Sequence, residues 1–177
     1  MNLKNSRTEQ NLMTAFSAES QARNKYTLFA DKAKKDGFLS AANIFGQIAD
    51  NERAHSEIWL TYLNTIGTTE QNLSSSIAGE HYEWSEMYRS FAETARDEGF
   101  DDIAVKMEAI GQIEAEHEKC FSSLLENKSN QNTTRRSDTM IRQCSNCGYI
   151  HTGQYAPKVC PVCGHDQSYF VQKPKNS

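Results

Sequence analysis

Two stretches of the chain place a glutamate three residues before a histidine inside an otherwise apolar helical pattern. They are Glu52 and His55 in IADNERAHSEIW, and Glu114 and His117 in IGQIEAEHEKCF. At that spacing both side chains leave the same face of a helix. That face also carries Ile48 and Trp59 in the first stretch, and Ile110 and Phe121 in the second. An ionised carboxylate among apolar side chains is costly unless it is paired or binds a metal. More carboxylates share such faces: Glu19 on the apolar stripe of the first helix, and Glu80 and Glu83, three apart, beside Trp84, Met87 and Phe91. Carboxylate with imidazole suits iron or manganese, whereas calcium and magnesium favour all-oxygen shells. A single Glu-x-x-His would read as a solvated helix face. Two copies with carboxylates on two further helices read as a metal site.

A second constellation lies near the C-terminus. CSNCGY supplies Cys144 and Cys147, and CPVCGH supplies Cys160 and Cys163. Each Cys-x-x-Cys turn aims two thiolates the same way, and four thiolates fit a tetrahedral zinc or iron. Zinc there would be structural, and iron would carry one electron. His151 and His165 read as surface residues, and Cys120 as a small apolar side chain.

The elements that must hold these residues are four helices and a short tail. Apolar spacing predicts helices over 7–36, 39–63, 77–98 and 101–127, with Gly37 and Gly99 as stops and 67–76 as a polar connection. Shifting the sequence by 62 positions superimposes Tyr26 on Tyr88, Phe29 on Phe91, Ala33 on Ala95, Gly37 on Gly99, Glu52 on Glu114 and His55 on His117. The chain is therefore a repeated helical hairpin. Short loops make each pair antiparallel, and a longer middle connection would cross a four-helix bundle. The expected division is a bundle over 1–128, a linker over 129–139 and a cysteine-stapled domain over 140–177. That last piece is too small for a core of its own.

Bulk properties narrow the function classes. Of 177 residues, 37% are hydrophobic and 24% charged, and the net charge is −4. No basic surface points to nucleic acid, no apolar run is long enough to span a membrane, and MNLKNSRTEQNL lacks the apolar core of a signal peptide. A cytoplasmic protein is the expectation, and in that reducing compartment the cysteine cluster reads as a metal site.

The donor set on the helices is that of di-iron and di-manganese carboxylate proteins: one glutamate from each of two helices and a Glu-x-x-His from each of the other two. Five glutamates and two neutral histidines nearly balance two irons, whether ferrous or ferric. Without metal the carboxylates would repel one another and some would hold protons. Tyr26 and its repeat mate Tyr88 read as aromatic core, with hydroxyls that could hydrogen-bond the glutamates.

On these residues the chain resembles the rubrerythrin family. FSAESQARNKY, GQIADNERAH, GEHYEWSEMY and IEAEHE resemble its di-iron motifs, and CSNCGYI and CPVCGHDQSYF its rubredoxin-like domain. The resemblance implies an all-α ferritin-like four-helix bundle with a small C-terminal rubredoxin-like domain. It implies an oxo- or hydroxo-bridged di-iron centre on Glu19, Glu52, His55, Glu80, Glu83, Glu114 and His117, with His55 exchanging with Glu80 as the oxidation state changes. It also implies one iron on Cys144, Cys147, Cys160 and Cys163, a site that zinc would also satisfy. The implied activity is reduction of hydrogen peroxide to water in oxidative stress defence. Electrons would come from a rubredoxin or an NADH-dependent flavoprotein. The implied assembly is a homodimer or larger homo-oligomer in which one subunit's tail serves the other's di-iron site. Two other readings stand beside it: a ferritin-like ferroxidase that handles iron, and a zinc-stapled interaction protein.

Overall fold

The computed structural model describes residues 3–127, 141–153 and 155–172. The expected linker, 129–139, lies outside the described residues. The chain divides into two compact units, Met1–Gly67 and Thr68–Ser177.

The first unit is a hairpin of α1 (Arg7–Lys35) and α2 (Leu39–Leu63). The Ser6 hydroxyl caps α1 by accepting the Glu9 N–H at 3.0 Å. Lys32, Lys34 and Lys35 sit in its last turn, where the helix dipole favours cations. Gly37 takes φ +84°, a conformation that other residues adopt only with strain. The chain then reverses, and the Phe38 N–H donates to the Ala33 carbonyl at 2.8 Å. The buried positions of this hairpin are small: Ala33, Ala49 and Ser56. Ser20 and Ser56 tie the two helices through their hydroxyls, 3.4 Å apart.

The second unit repeats the hairpin and adds the tail. Its first limb is α3 (Thr69–Tyr82), a π-helical turn (Glu83–Met87) and α4 (Tyr88–Asp97). The return limb is α5 (Asp101–Asn127). Gly99 also takes φ +84°, and Phe100 N–H donates to Ala95 O at 2.7 Å, repeating the first turn. Small residues again seat the helices: Ala92, Ala95 and Ala104 form one buried cluster with Met107 packed on it.

The third helical segment begins well before Ile77, which corrects the expected connection over 67–76. Thr68 and Gln71 form a capping box. The Thr68 hydroxyl accepts Gln71 N–H at 3.3 Å, and Gln71 Oε1 accepts Thr68 N–H at 2.8 Å. The serine run is thereby recruited into helix, with Ser74 Oγ bonded to Glu70 O at 2.9 Å. Upstream, Asn64 closes α2 in the left-handed region, at φ 54°. The connection between α2 and α3 is thus only residues 64–68.

The tail holds a three-stranded antiparallel sheet in the order β2-β1-β3, from β1 (Ile141–Cys144), β2 (Ile150–Thr152) and β3 (Phe170–Gln172). Its buried cluster is Cys144, Cys160 and Phe170, with Tyr149, Ala156 and Val162 around it. Cysteine thiols stand where a larger domain would place leucines, as expected for a fold held by a staple. Among the described residues no helix is long and apolar enough to cross a membrane.

The small-residue seams generate a test. Ala49 and Ala104 are fully buried, so Ala49→Leu or Ala104→Leu forces the paired helices apart. Each should lower stability by about 1–3 kcal/mol in a urea titration followed by helical circular dichroism.

Candidate metal centres

Each hairpin gathers one carboxylate-histidine cluster. In the first, Glu19 from α1 meets Glu52 and His55 from α2, with candidate ligand atoms all within 4.8 Å of one another. His55 Nδ1 lies 3.0 Å from Glu52 Oε2 and 3.6 Å from Glu19 Oε2. In the second, Glu80 from α3 meets Glu114 and His117 from α5 within the same limit. His117 Nδ1 lies 2.6 Å from Glu114 Oε2 and 3.6 Å from Glu80 Oε2. The two clusters are near copies, as the repeat requires.

The electrostatics show carboxyl groups crowded together. Glu19 is raised above the ordinary carboxyl range, first by the hydrogen bond it shares with Glu52, then by burial and by the charge of Glu52; His55 opposes this. Glu52 is lowered by the same shared bond. Glu80 is raised by burial first and by the charge of Glu114 next, with His117 opposing. A cation placed among these oxygens would replace the shared proton and relieve the repulsion.

The clusters are less buried than the sequence suggests. The side chains of Glu52 and Glu114 are 16% and 14% exposed, but those of His55 and His117 are 50% and 38% exposed. The carboxylates of Glu52 and Glu114 are thus largely shielded, while the two imidazoles are partly exposed.

Glu83 is the carboxylate with no counterpart in the first hairpin, and its placement has a local cause. Glu19 precedes Tyr26 by seven residues, whereas Glu80 precedes Tyr88 by eight. The additional residue is absorbed in the π-helical turn that begins at Glu83, a distortion common at functional sites. Glu83 stands outside the three-residue cluster, and its charge is felt at Tyr88. Tyr88 is raised above its ordinary value by burial first, then by Glu114, then by Glu83. Tyr26 differs from its mate: its ring packs against Phe29 and Phe45, with centroids 6.3 and 6.1 Å away.

One participant was missed. Glu118 reads from sequence as solvent-facing, yet its carboxylate accepts the Trp84 indole N–H and lies 3.3 Å from His81 Nδ1. The Trp84 bond, with His81 adding to it, holds Glu118 below the usual carboxyl range. His81 and Glu118 occupy the repeat positions of Ser20 and Ser56, to within one residue. Each hairpin thus carries a polar tie beside its cluster. The repeat contains the signal, because the mate of Ser56 had to face the neighbouring limb.

The four tail cysteines converge with all four Sγ atoms inside 4.8 Å. Cys144 Sγ to Cys163 Sγ and Cys147 Sγ to Cys160 Sγ are both 3.7 Å. A disulfide would need about 2.05 Å, whereas a tetrahedron with bonds of about 2.3 Å has edges of about 3.8 Å. The donor set fits a tetrahedral metal. Two matching knuckles build it: Gly148 N–H donates to Cys144 O at 2.9 Å, and Gly164 N–H to Cys160 O at 3.0 Å. Burial opposes ionisation of Cys163, but the His165 amide and the neighbouring thiols outweigh it and bring Cys163 down to about 6. Burial pushes Cys147 and Cys160 up.

The first knuckle touches the second cluster. A Cβ on Gly148 would meet His117 Nε2 and Ile113 Cγ2, each at 3.0 Å. His117 therefore turns Nδ1 to the carboxylates and Nε2 to the backbone of the cysteine knuckle. Lys106 adds a second tie from α5, to the Pro161 carbonyl.

Helical hairpins carrying repeated Glu-x-x-His clusters, followed by a four-cysteine knuckle domain, define a ferritin-like metalloprotein with a rubredoxin-like appendage. The comparisons agree: residues 10–125 match the Rubrerythrin family, and residues 143–171 match the family's rubredoxin-like domain. The chain belongs to the rubrerythrin family. It is 40% identical to Rubrerythrin-1 of Clostridium acetobutylicum over 95% of each chain. It is 42% identical to Rubrerythrin of Nitratidesulfovibrio vulgaris, again over 95% of each. A solved structure of nigerythrin in a partially reduced state aligns with 97% of this chain and 91% of its own, at 26% identity and TM-score 0.42.

The π-helical turn yields a test. Deleting Ser85 gives the second hairpin the seven-residue spacing of the first and removes the π-helical turn that begins at Glu83. The variant should keep its helical circular dichroism but lose iron from the second cluster, measured as iron retained per chain after desalting.

Proposed function

We infer that this protein reduces hydrogen peroxide to water at a non-haem di-iron centre supplied with electrons through the tail's four-cysteine site. The observation that carries the reading is the cysteine knuckle seated on His117, a residue of the carboxylate-histidine cluster. The ligands assigned to the di-iron centre are Glu19, Glu52, His55, Glu80, Glu83, Glu114 and His117. Those assigned to the tail iron are Cys144, Cys147, Cys160 and Cys163. When bound, the iron pair would supply two electrons that, with two protons, cleave the O–O bond of peroxide to two waters, and the tail iron would return them one at a time.

The chain's own residues have distinct tasks in this reading. The carboxylates hold the charge near balance, so that changing the metal's oxidation state does not force ligands apart. His55 and His117 are fixed by the glutamate three residues before each, which orients Nδ1 toward the shared cation position. Tyr88 offers a hydroxyl proton whose loss is opposed first by burial and then by the charges of Glu114 and Glu83. It therefore acts as a hydrogen-bond donor to carboxylate oxygen and not as an anion. Glu83, which lies outside the cluster of Glu80, Glu114 and His117, would add one more oxygen donor on the second hairpin when metal binds, and so favour retention of iron through repeated turnover. An iron-storing ferroxidase has no use for an electron carrier seated on one of its histidines, and a zinc-stapled scaffold has none for the paired clusters.

The direct test is to reduce the iron-loaded protein without oxygen, add one equivalent of hydrogen peroxide, and follow the thiolate-to-iron absorption. Fast return of the ferric colour, faster than with oxygen, is expected. A tail that never shows the colour, or regains it only with oxygen, contradicts the reading. A second outcome concerns the knuckle contact. Gly148→Ala places a methyl group against His117 and Ile113 from a backbone at φ +78°. It should leave the ferric absorption of the tail unchanged and slow its return after peroxide several-fold.

A further inference from the structure

Glu118 reaches across from α5 to two residues of the facing limb. Its carboxylate accepts the Trp84 indole N–H, and both of its oxygens lie 3.3 Å from His81 Nδ1. The His81 and Trp84 rings meet edge to face, with centroids 5.2 Å apart and planes at 83°. Each of the three adjoins, in sequence, a residue assigned to the metal centre. His81 follows Glu80, Trp84 follows Glu83, and Glu118 follows His117. The Glu118 side chain is 23% exposed, so its bonds are partly shielded from water.

The first hairpin manages with less. There Ser20 follows Glu19 and Ser56 follows His55, and two hydroxyls 3.4 Å apart tie the limbs. The spacing along the limbs explains the difference. Ser56 and Glu118 stand 62 residues apart, the period of the repeat, but Ser20 precedes Tyr26 by six residues and His81 precedes Tyr88 by seven. Tyr88 lies against α5, where a Cβ added at Gly111 would come within 3.3 Å of the Tyr88 Cβ. The additional residue is therefore confined between two fixed points, and the limb takes it up as the π-helical turn Glu83–Met87. Such a turn is rare, and a costly backbone conformation persists where its surroundings hold it. Trp84 belongs to the turn itself. Relaxing the turn to α-helix without losing a residue would rotate 80–83 by one helical position relative to Tyr88. Glu80 would then leave its place beside Glu114 and His117.

We propose that Glu118 is a positioning residue for the second metal cluster: by binding Trp84, with His81 beside it, it holds the π-helical turn and so keeps Glu80 opposite Glu114 and His117. Glu118 acts through the limb it grips and does not itself bind metal or substrate. The bond to the indole carries the effect, because it fixes a residue inside the turn. The bond to His81 steadies the helix one turn earlier, next to Glu80. The proposal rests on reading Glu80, Glu114 and His117 as a metal site, and is independent of whether that site reduces peroxide.

The test is a titration of the full chain with manganous ion, followed by loss of the free ion's electron paramagnetic resonance signal. Carboxylate oxygen suits manganese and thiolate does not, and the tail is kept filled with zinc. Glu118→Ala removes the acceptor. Trp84→Phe removes the donor and keeps a ring. Glu118→Gln discards the charge and keeps an amide oxygen for the indole. Glu118→Ala and Trp84→Phe should each weaken manganese binding to the helices about tenfold. Combined, they should weaken it no more than either does alone, since both cut one bond. Glu118→Gln should bind as wild type does. Helical circular dichroism should be unchanged in all of them, which separates positioning from unfolding. Glu118→Gln binding as weakly as Glu118→Ala would assign the effect to charge and overturn the proposal. Trp84→Phe binding as wild type does would overturn it too. Should Glu118→Ala fail to fold, Trp84→Phe, which keeps the carboxylate, decides alone. Wild type holding no manganese in its helices defeats the metal-site reading and this proposal with it. Wild type that binds manganese, with every variant equal to it, defeats this proposal alone.

Discussion

The carboxylates of Glu19, Glu52, Glu80 and Glu114 stand on helix faces whose other members are apolar, and that conflict organises the molecule. Without a cation they crowd together: Glu19 is held above the normal carboxyl range first by its hydrogen bond with Glu52, and Glu80 first by burial and then by the charge of Glu114. A metal ion resolves the conflict by satisfying the oxygens and the histidine nitrogens together. Much of the rest of the helical architecture positions these side chains. The glycine turns at Gly37 and Gly99 set each hairpin, alanine seams bring the helices close, and Ser20–Ser56 and His81–Glu118 fix the limbs beside the clusters.

The repeat gives two nearly equivalent halves, but the differences between them are chemically directed. The π-helical turn absorbs one additional residue in the second hairpin and begins at Glu83. The tail attaches to that same hairpin, through Gly148 against His117 and Ile113. The additional carboxylate Glu83 and the four-cysteine tail thus fall on the same hairpin. The tail has its own version of the same logic. Its core is largely thiol, so a metal held by those thiols would also hold the domain.

Most of this was legible because it rests on local signals. The 62-residue shift, the glycine stops and the Cys-x-x-Cys pairs were readable residue by residue, and α2 and α5 begin and end where the pattern places them. The start of α3 was also written in the chain, as Thr68 and Gln71, but serine composition masked it. The π-helical turn was present only as the difference between seven and eight residues from glutamate to tyrosine. The bonding of Glu118 depended on which limb lay opposite and could be reached only through its repeat mate. The exposure of His55 and Phe29 was not legible at all. Periodicity marks a face for burial without saying what covers it.

At the centre of this reading, the helical clusters are cation sites whose occupancy stabilises the helices. Anaerobic thermal unfolding of the metal-free protein, with and without ferrous iron, followed by helical circular dichroism, tests it most directly. At a hundredfold excess over the dissociation constant, binding to the folded form alone contributes about 2.7 kcal/mol, enough to raise the midpoint by several degrees. The expected result is that rise, together with iron bound beyond the one held by the tail. An unchanged midpoint, with iron held only by Cys144, Cys147, Cys160 and Cys163, would contradict it.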